Sequence, residues 1–182
     1  MPHTNTTTLI TPARDRVVVM GVSGCGKSTL AHAISEHLEW TMVEGDTFHS
    51  VQSQAKMAQG IALTDDDRAQ WLQTLAWMIE RAESPTVVTC SALKASYRDI
   101  LRAAAPGKVA FVYMALSQEE SFKRVSRRQG HTFPASLVAS QFAALEAPRN
   151  EPDVLTVDAT TTTEAQLAEV ARWLGQPAVH DQ

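Results

Sequence analysis

The chain has 182 residues, 44% apolar and 20% charged, a balance ordinary for one soluble globular domain and sufficient to bury a core without staples. Sixteen Lys and Arg against 20 Asp and Glu leave a net charge of −4, which argues against nucleic acid as the main partner, so any bound phosphate must be held by a local site. No apolar stretch approaches the roughly 20 residues of a membrane-spanning helix. Cys25 and Cys90 show neither C-x-x-C nor zinc spacing, the pattern of two reduced thiols in a cytoplasmic protein.

Residues 1–15 are polar and Thr-rich and lack the apolar region of a signal peptide, so they read as a frayed leader to the first strand. Five segments are nearly continuous β-branched runs, the pattern of parallel strands buried on both faces: 16–21, 40–45, 86–92, 108–116 and 154–159. Helical stretches alternate with them, which predicts a single three-layer α/β domain with right-handed crossovers.

After the first strand comes Gly21-Val-Ser-Gly-Cys-Gly-Lys-Ser28, which fits G-x-x-x-x-G-K-[ST], and then a helix with Leu30, Ala31, Ile34 and Leu38 on one face. Glycines let successive N–H groups converge on phosphate oxygens, and the helix N-terminus adds its positive end. Lys27 is placed for the outer phosphates and Ser28 for Mg²⁺. Cys25 fills a free position of the motif, and Thr29 is expected to pack or cap. The loop predicts a magnesium-dependent nucleoside triphosphate site. It leaves three classes open: a small-molecule kinase, a motor or switch NTPase, and a nucleotide-binding module.

The acceptor site is expected where the strands end. The second strand runs into Glu44-Gly-Asp-Thr-Phe-His-Ser50. Asp46 is the candidate to orient an acceptor hydroxyl and take its proton, although Asp after Gly is also a common turn former. His49 reads equally as a ligand or as a loop histidine. Residues 54–72 carry Lys56, Asp65, Asp66, Asp67 and Arg68. Thr64 with Asp67 is a capping-box signal for a helix over 65–82, and the helix dipole alone accounts for acids in its first turn. Trp71, Leu72, Leu75, Ala76 and Ile79 form its buried stripe.

After the third strand, Lys94 and Arg98 are four apart, which predicts one helix face and a receptor for an anionic group. After the fourth, Ser117 with Glu120 marks another helix start, followed by Lys123, Arg124, Arg127 and Arg128, with Arg124 and Arg128 on a shared face. Gly130 breaks this helix, and a short helical segment follows within 134–150. A basic stretch hinged by Gly, spanning about 120–150, suggests a lid, while a charged solvent face is the plainer reading. Thr163 with Gln166 marks the last helix start, and Gly175 its stop.

Taken together, "MGVSGCGKS", "EGDTFH", "KMAQGIALTDDDRAQWL", "CSALKASYRDILR", "RRQGHTF" and "VASQFAALEAP" resemble the gluconate kinases of the small P-loop type, over about residues 17–158. The resemblance implies a P-loop kinase fold like that of shikimate and nucleoside monophosphate kinases, with a five-stranded parallel sheet, helices on both faces and a small lid. It also implies ATP- and Mg²⁺-dependent phosphorylation of D-gluconate to 6-phospho-D-gluconate, feeding the pentose phosphate route, and a possible homodimer without membrane or nucleic-acid partners. Carried over by residue, Gly24, Cys25, Gly26, Lys27, Ser28 and Thr29 bind ATP and the metal. Asp46 orients the 6-hydroxyl, and Arg124 and Arg128 serve the lid and nucleotide side. His49, Lys56, Asp66, Arg68, Lys94, Arg98, His131 and Gln141 are gluconate contacts. The third strand ends in "TVVTCSA", without the terminal aspartate that motor and switch NTPases use for metal. A shikimate kinase is the nearest alternative, and the place of its usual Gly-rich triplet here reads Cys90-Ser-Ala-Leu-Lys94.

Overall fold

A computed structural model describes residues 14–130 and 133–175 of the chain. The tail reading of residues 1–15 therefore lies almost wholly outside the described residues, and the reading of His131 falls outside them as well. Among the described residues, five strands form one parallel sheet in the order β2-β3-β1-β4-β5: β1 (Arg16–Met20), β2 (Thr41–Glu44), β3 (Thr86–Thr89), β4 (Val109–Ala115) and β5 (Val154–Asp158). The helices that cross between them are α1 (Lys27–Leu38), α2 (Val51–Ala58), α3 (Asp65–Arg81), α4 (Ala95–Ala104), α5 (Gln118–Arg127), α6 (Val138–Ala144) and α7 (Thr163–Trp173).

The central strands behave as all-apolar runs should. β1 is buried along its whole length, and its alternate residues enter two separate cores. Val17 and Val19 face the α1 and α7 side with Leu30, Ile34 and Val170; Val18 and Met20 face the α3 and α4 side with Trp71, Leu75, Ile79 and Leu101. The expectation of burial on both faces does not hold at the sheet edges. β2 and β5 each have one lateral neighbour, and their residues are mostly half-buried or exposed.

The caps follow the chemistry of their residues. Thr64 and Asp67 close the capping box of α3, and Ser117 caps α5 by accepting from the Glu120 N–H. The last helix begins one residue earlier than its sequence signal: Thr162 is the cap and accepts from Ala165 N–H. Either Thr can supply the hydroxyl, and the extended backbone at Thr162 decides between them.

Candidate active site

The phosphate loop lies between β1 and α1 at the C-terminal edge of the sheet. Gly24 and Gly26 have φ of 80° and 94°, conformations that side chains resist, and Gly26 stands at the N-cap of α1. The Lys27 ammonium donates to the Gly21 and Val22 carbonyls, each at 3.1 Å, so it lies folded over the start of the loop. Ser28 and Thr29 are exposed in the first turn of α1, so the expectation that Thr29 packs or caps is not met. Cys25 is buried against the core.

Two helices hold the outer side of this loop. The Ser121 hydroxyl donates to the Ser23 carbonyl at 2.7 Å, and the Ser23 N–H donates to the Gln141 side-chain oxygen at 2.7 Å. Arg124 donates to the Gly24 carbonyl, to the Ala159 carbonyl and to Glu120. Gln141, read from the sequence as a gluconate contact, is thus engaged by the phosphate loop. Arg124 and Arg128 do not share a helix face: α5 ends at Arg127, and Arg128 leaves it in extended conformation, exposed.

The acceptor side grows from β2. Its strand ends in a single 3₁₀ turn, Gly45–Phe48, that carries Asp46 with its side chain 68% exposed. His49 follows, buried, its ring stacked on Trp71 at 4.1 Å and 20°. Its Nε2 is 3.9 Å from the Asp46 carboxylate, and Nδ1 is buried without a hydrogen-bond partner among the described residues. Burial pushes the His49 imidazole below its usual range; Asp46 partly offsets this and Arg68 adds to it.

The cations of this region divide sharply. Lys56 is bonded to the Asp67 carboxylate at 2.7 and 3.0 Å, which holds that acid at a pKa of about 2 together with the backbone N–H of Thr64. Lys94 is bonded to Asp65, whose carboxylate also accepts from the Tyr97 hydroxyl. Asp66 stays exposed. Arg98 corrects the sequence reading outright: with its side chain 1% exposed, it donates to the carbonyls of Ala92, Leu93 and Glu146 and bidentately to Glu151. Lys94 stands in extended conformation at the N-cap of α4 rather than within the helix, so the two cations form no joint anion receptor. Arg98 instead secures the bend at Ala92, whose φ is 44°. Arg68 is different. It gives one hydrogen bond to the Leu63 carbonyl and lies 5.8 Å from the Tyr97 ring, and among the described residues it has no carboxylate partner.

The two sides meet at Cys90, directly after β3. Burial raises its thiol to about 12, and the charges of Asp46, Lys27 and Arg68 all act on it. The turn that carries Asp46 is tied to the same end of β3, because the Gly45 N–H donates to the Thr89 hydroxyl. The Cys90 N–H also bonds the Val19 carbonyl, and the Gly21 N–H bonds the Ser91 carbonyl, which fixes the phosphate loop to this strand end. Sequence reading missed Glu44, whose carboxylate accepts from the Thr89 hydroxyl at the same edge. It also took Trp71 only as core, although its indole N–H bonds the Gly45 carbonyl. Helical spacing identifies a buried Trp but not the target of its single donor.

A profile of the family described as an AAA domain matches residues 17–152. A gluconokinase from Gluconobacter oxydans is 42% identical over 159 residues, covering 86% of this chain and 89% of its own length. The crystal structure of a gluconokinase from Sinorhizobium meliloti superposes with a TM-score of 0.81 at 42% identity, covering 88% of this chain and 91% of the other. An unliganded sugar kinase from Janibacter sp. HTCC2649 gives 0.83, also at 42% identity, covering 92% and 99%.

Proposed function

The chain belongs to the gluconokinase family, and from that premise we propose that it transfers the terminal phosphoryl group of ATP to the 6-hydroxyl of D-gluconate, with the loop of Gly24–Thr29 as donor site and Asp46 as the acid that aligns the acceptor. The observation that supports the residue roles is that the loop carrying Lys27 and the turn carrying Asp46 are both hydrogen-bonded to the end of β3, through Gly21 to Ser91 and Gly45 to Thr89, while Arg68 has no carboxylate partner among the described residues. A phosphate-loop cation, an exposed carboxylate and a cation with open donors are what a transfer to a hydroxy acid requires.

The roles follow from charge. Backbone N–H groups of the loop, with the α1 N-terminus, hold the phosphates, and Lys27 leaves its carbonyl partners to neutralise charge on the group in transfer. Arg124 ties the loop to the β5–α7 turn, and the exposed Arg128 lies on the segment that closes on the donor side. Asp46 accepts the proton of the 6-hydroxyl as its oxygen attacks the phosphorus. Arg68 receives the gluconate carboxylate, for which its planar fork of donors is suited. His49, kept neutral by burial, and Asp66 border the hydroxyl chain.

The residues present fit magnesium used in the way of kinases. No cluster of three or more His, Cys, Asp or Glu able to hold a metal exists among the described residues. They offer the exposed Ser28 hydroxyl at the start of α1 and the Glu44 and Asp46 carboxylates at the end of β2, and Mg²⁺ commonly keeps several waters and binds through few protein oxygens plus substrate phosphates. Bound there, the ion neutralises phosphate charge. No helix of the described residues is long and apolar enough to cross a membrane; we infer a cytoplasmic enzyme, and a homodimer is the assembly to test first.

The test is to incubate the purified protein with ATP, Mg²⁺ and a panel of sugar acids plus shikimate, following ADP release and identifying products by NMR. Gluconate is expected to be consumed and phosphorylated at C6. Asp46→Asn is expected to lower kcat by roughly a hundredfold to ten-thousandfold with a preserved KM. Phosphorylation of another acid in preference to gluconate overturns the substrate; an Asp46→Asn enzyme altered only in KM overturns the role of the acid.

A further inference from the structure

The turn that presents Asp46 is gripped at one residue, Gly45, by groups that belong to neither the phosphate loop nor the rim of cations. The Gly45 N–H donates to the Thr89 hydroxyl at 3.0 Å, and the Gly45 carbonyl accepts from the Trp71 indole N–H at 2.7 Å. A Cβ on Gly45 would stand 1.9 Å from the Thr89 carbonyl oxygen, so the backbone lies directly on β3 at this point. Trp71 is 2% exposed and also carries the His49 ring on its face. The residue next after this clamp is Asp46, which is exposed and whose carboxylate lies 3.9 Å from His49 Nε2.

We propose that Trp71 and Thr89 are positioning residues for phosphoryl transfer: they clamp the backbone on both sides of the Gly45 Cα and so fix the direction in which Asp46 faces the acceptor hydroxyl. The inference rests on the reading of Asp46 given above. Among the described residues the Asp46 side chain makes no hydrogen bond and reaches only His49, at 3.9 Å, so its direction is inherited chiefly from the backbone that carries it. A one-turn 3₁₀ segment at the end of an edge strand has little rigidity of its own. The clamp supplies it through two buried hydrogen bonds, one to each of the two peptide groups that flank the Gly45 Cα. Displacement by about 1 Å from the attacking geometry is enough to cost on the order of a hundredfold in rate, so a partial release is expected to cost less than that.

The experiment uses Trp71→Phe, which keeps an aromatic under His49 and removes the donor, and Thr89→Val, which keeps shape and removes the hydroxyl. Thr89→Ser restores the hydroxyl. The first two are expected to lower kcat by about tenfold each, with ADP affinity by calorimetry and the KM for ATP within about twofold of the parent, and Thr89→Ser is expected to recover most of the loss. Each is then combined with Asp46→Asn. If the clamp acts through Asp46, neither causes a further loss in that background. A Thr89→Val that slows the enzyme through the Glu44 carboxylate, its other partner, keeps its effect beside Asp46→Asn, and that additive result overturns the proposal. So does full turnover in folded Thr89→Val, which decides the matter alone if Trp71→Phe does not fold. Full turnover in Asp46→Asn by itself overturns the reading of the acid instead.

Discussion

The phosphate loop and the acceptor rim face each other across one strand end but are built in opposite ways. The loop is eight consecutive residues, and its working groups are main-chain amides shaped by Gly24 and Gly26. The rim is assembled from the β2 turn, α2, the start of α3 and the start of α4, and its working groups are side chains whose partners lie 11 to 53 residues away. A backbone cradle is specified locally. A side-chain rim is specified by which charges neutralise one another, and that is a property of the fold.

The sharpest test of the contrast is Lys27→Ala, which removes the loop's own cation. Turnover is expected to fall by about a hundredfold to a thousandfold while the melting temperature stays within about 4 °C, because the two bonds Lys27 makes are to carbonyls of its own loop. Turnover by a folded Lys27→Ala enzyme at the parental rate removes the donor site. On the rim, the next largest effect is on stability rather than rate. Arg98→Ala removes the buried centre of a network joining Ala92, Leu93, Glu146 and Glu151. Breaking such a buried pair costs about 3–5 kcal/mol, a drop of roughly 6–20 °C in melting temperature for a domain of this size. The KM for gluconate is expected to change less than about threefold. A raised KM at an unchanged melting temperature restores Arg98 to the substrate.

These cases show how far the sequence carried. The parallel sheet was legible because all-apolar strands separated by amphipathic helices have few other solutions. The phosphate loop was legible because its chemistry is contiguous. Lys94 and Arg98 were misjudged for a physical reason: a spacing of four places two residues on one face only if both are helical, and Lys94 is not. Nothing in the local sequence announces that Glu151, across another crossover, claims Arg98. Gln141 shows the same limit, since its amide oxygen is taken by Ser23, 118 residues away. Trp71 was rightly placed in the core, and its polar edge was invisible because the Gly45 carbonyl it reaches belongs to another element.

If the rim's paired cations are structural and Arg68 is the open one, substitutions must separate them. Arg68→Lys keeps the charge but loses the planar fork, and a charge-assisted bond of this kind contributes about 1.5–3 kcal/mol. The KM for gluconate is expected to rise by roughly tenfold or more, with kcat within about threefold. Lys94→Gln, whose ammonium already serves Asp65, is expected to raise it by no more than about twofold. Equal effects from the two substitutions erase the distinction.

The smallest effect is one of pH, and it bears on the place where the two regions touch. His49 is held below the ordinary imidazole value of about 6.5, first by burial and then by Arg68, against the pull of Asp46. A depressed histidine binds fewer protons folded than unfolded, so its contribution to stability is complete above about pH 6.5 and is lost as pH falls through the folded pKa. Asp46→Asn removes the one charge that raises this imidazole, so its titration followed by NMR is expected to move further down; Arg68→Lys, which keeps a cation there, is expected to move it much less. An imidazole that titrates at the same pH in the parent and in Asp46→Asn places the carboxylate beyond reach of His49, and with that the turn no longer joins the acid to the stack beneath it.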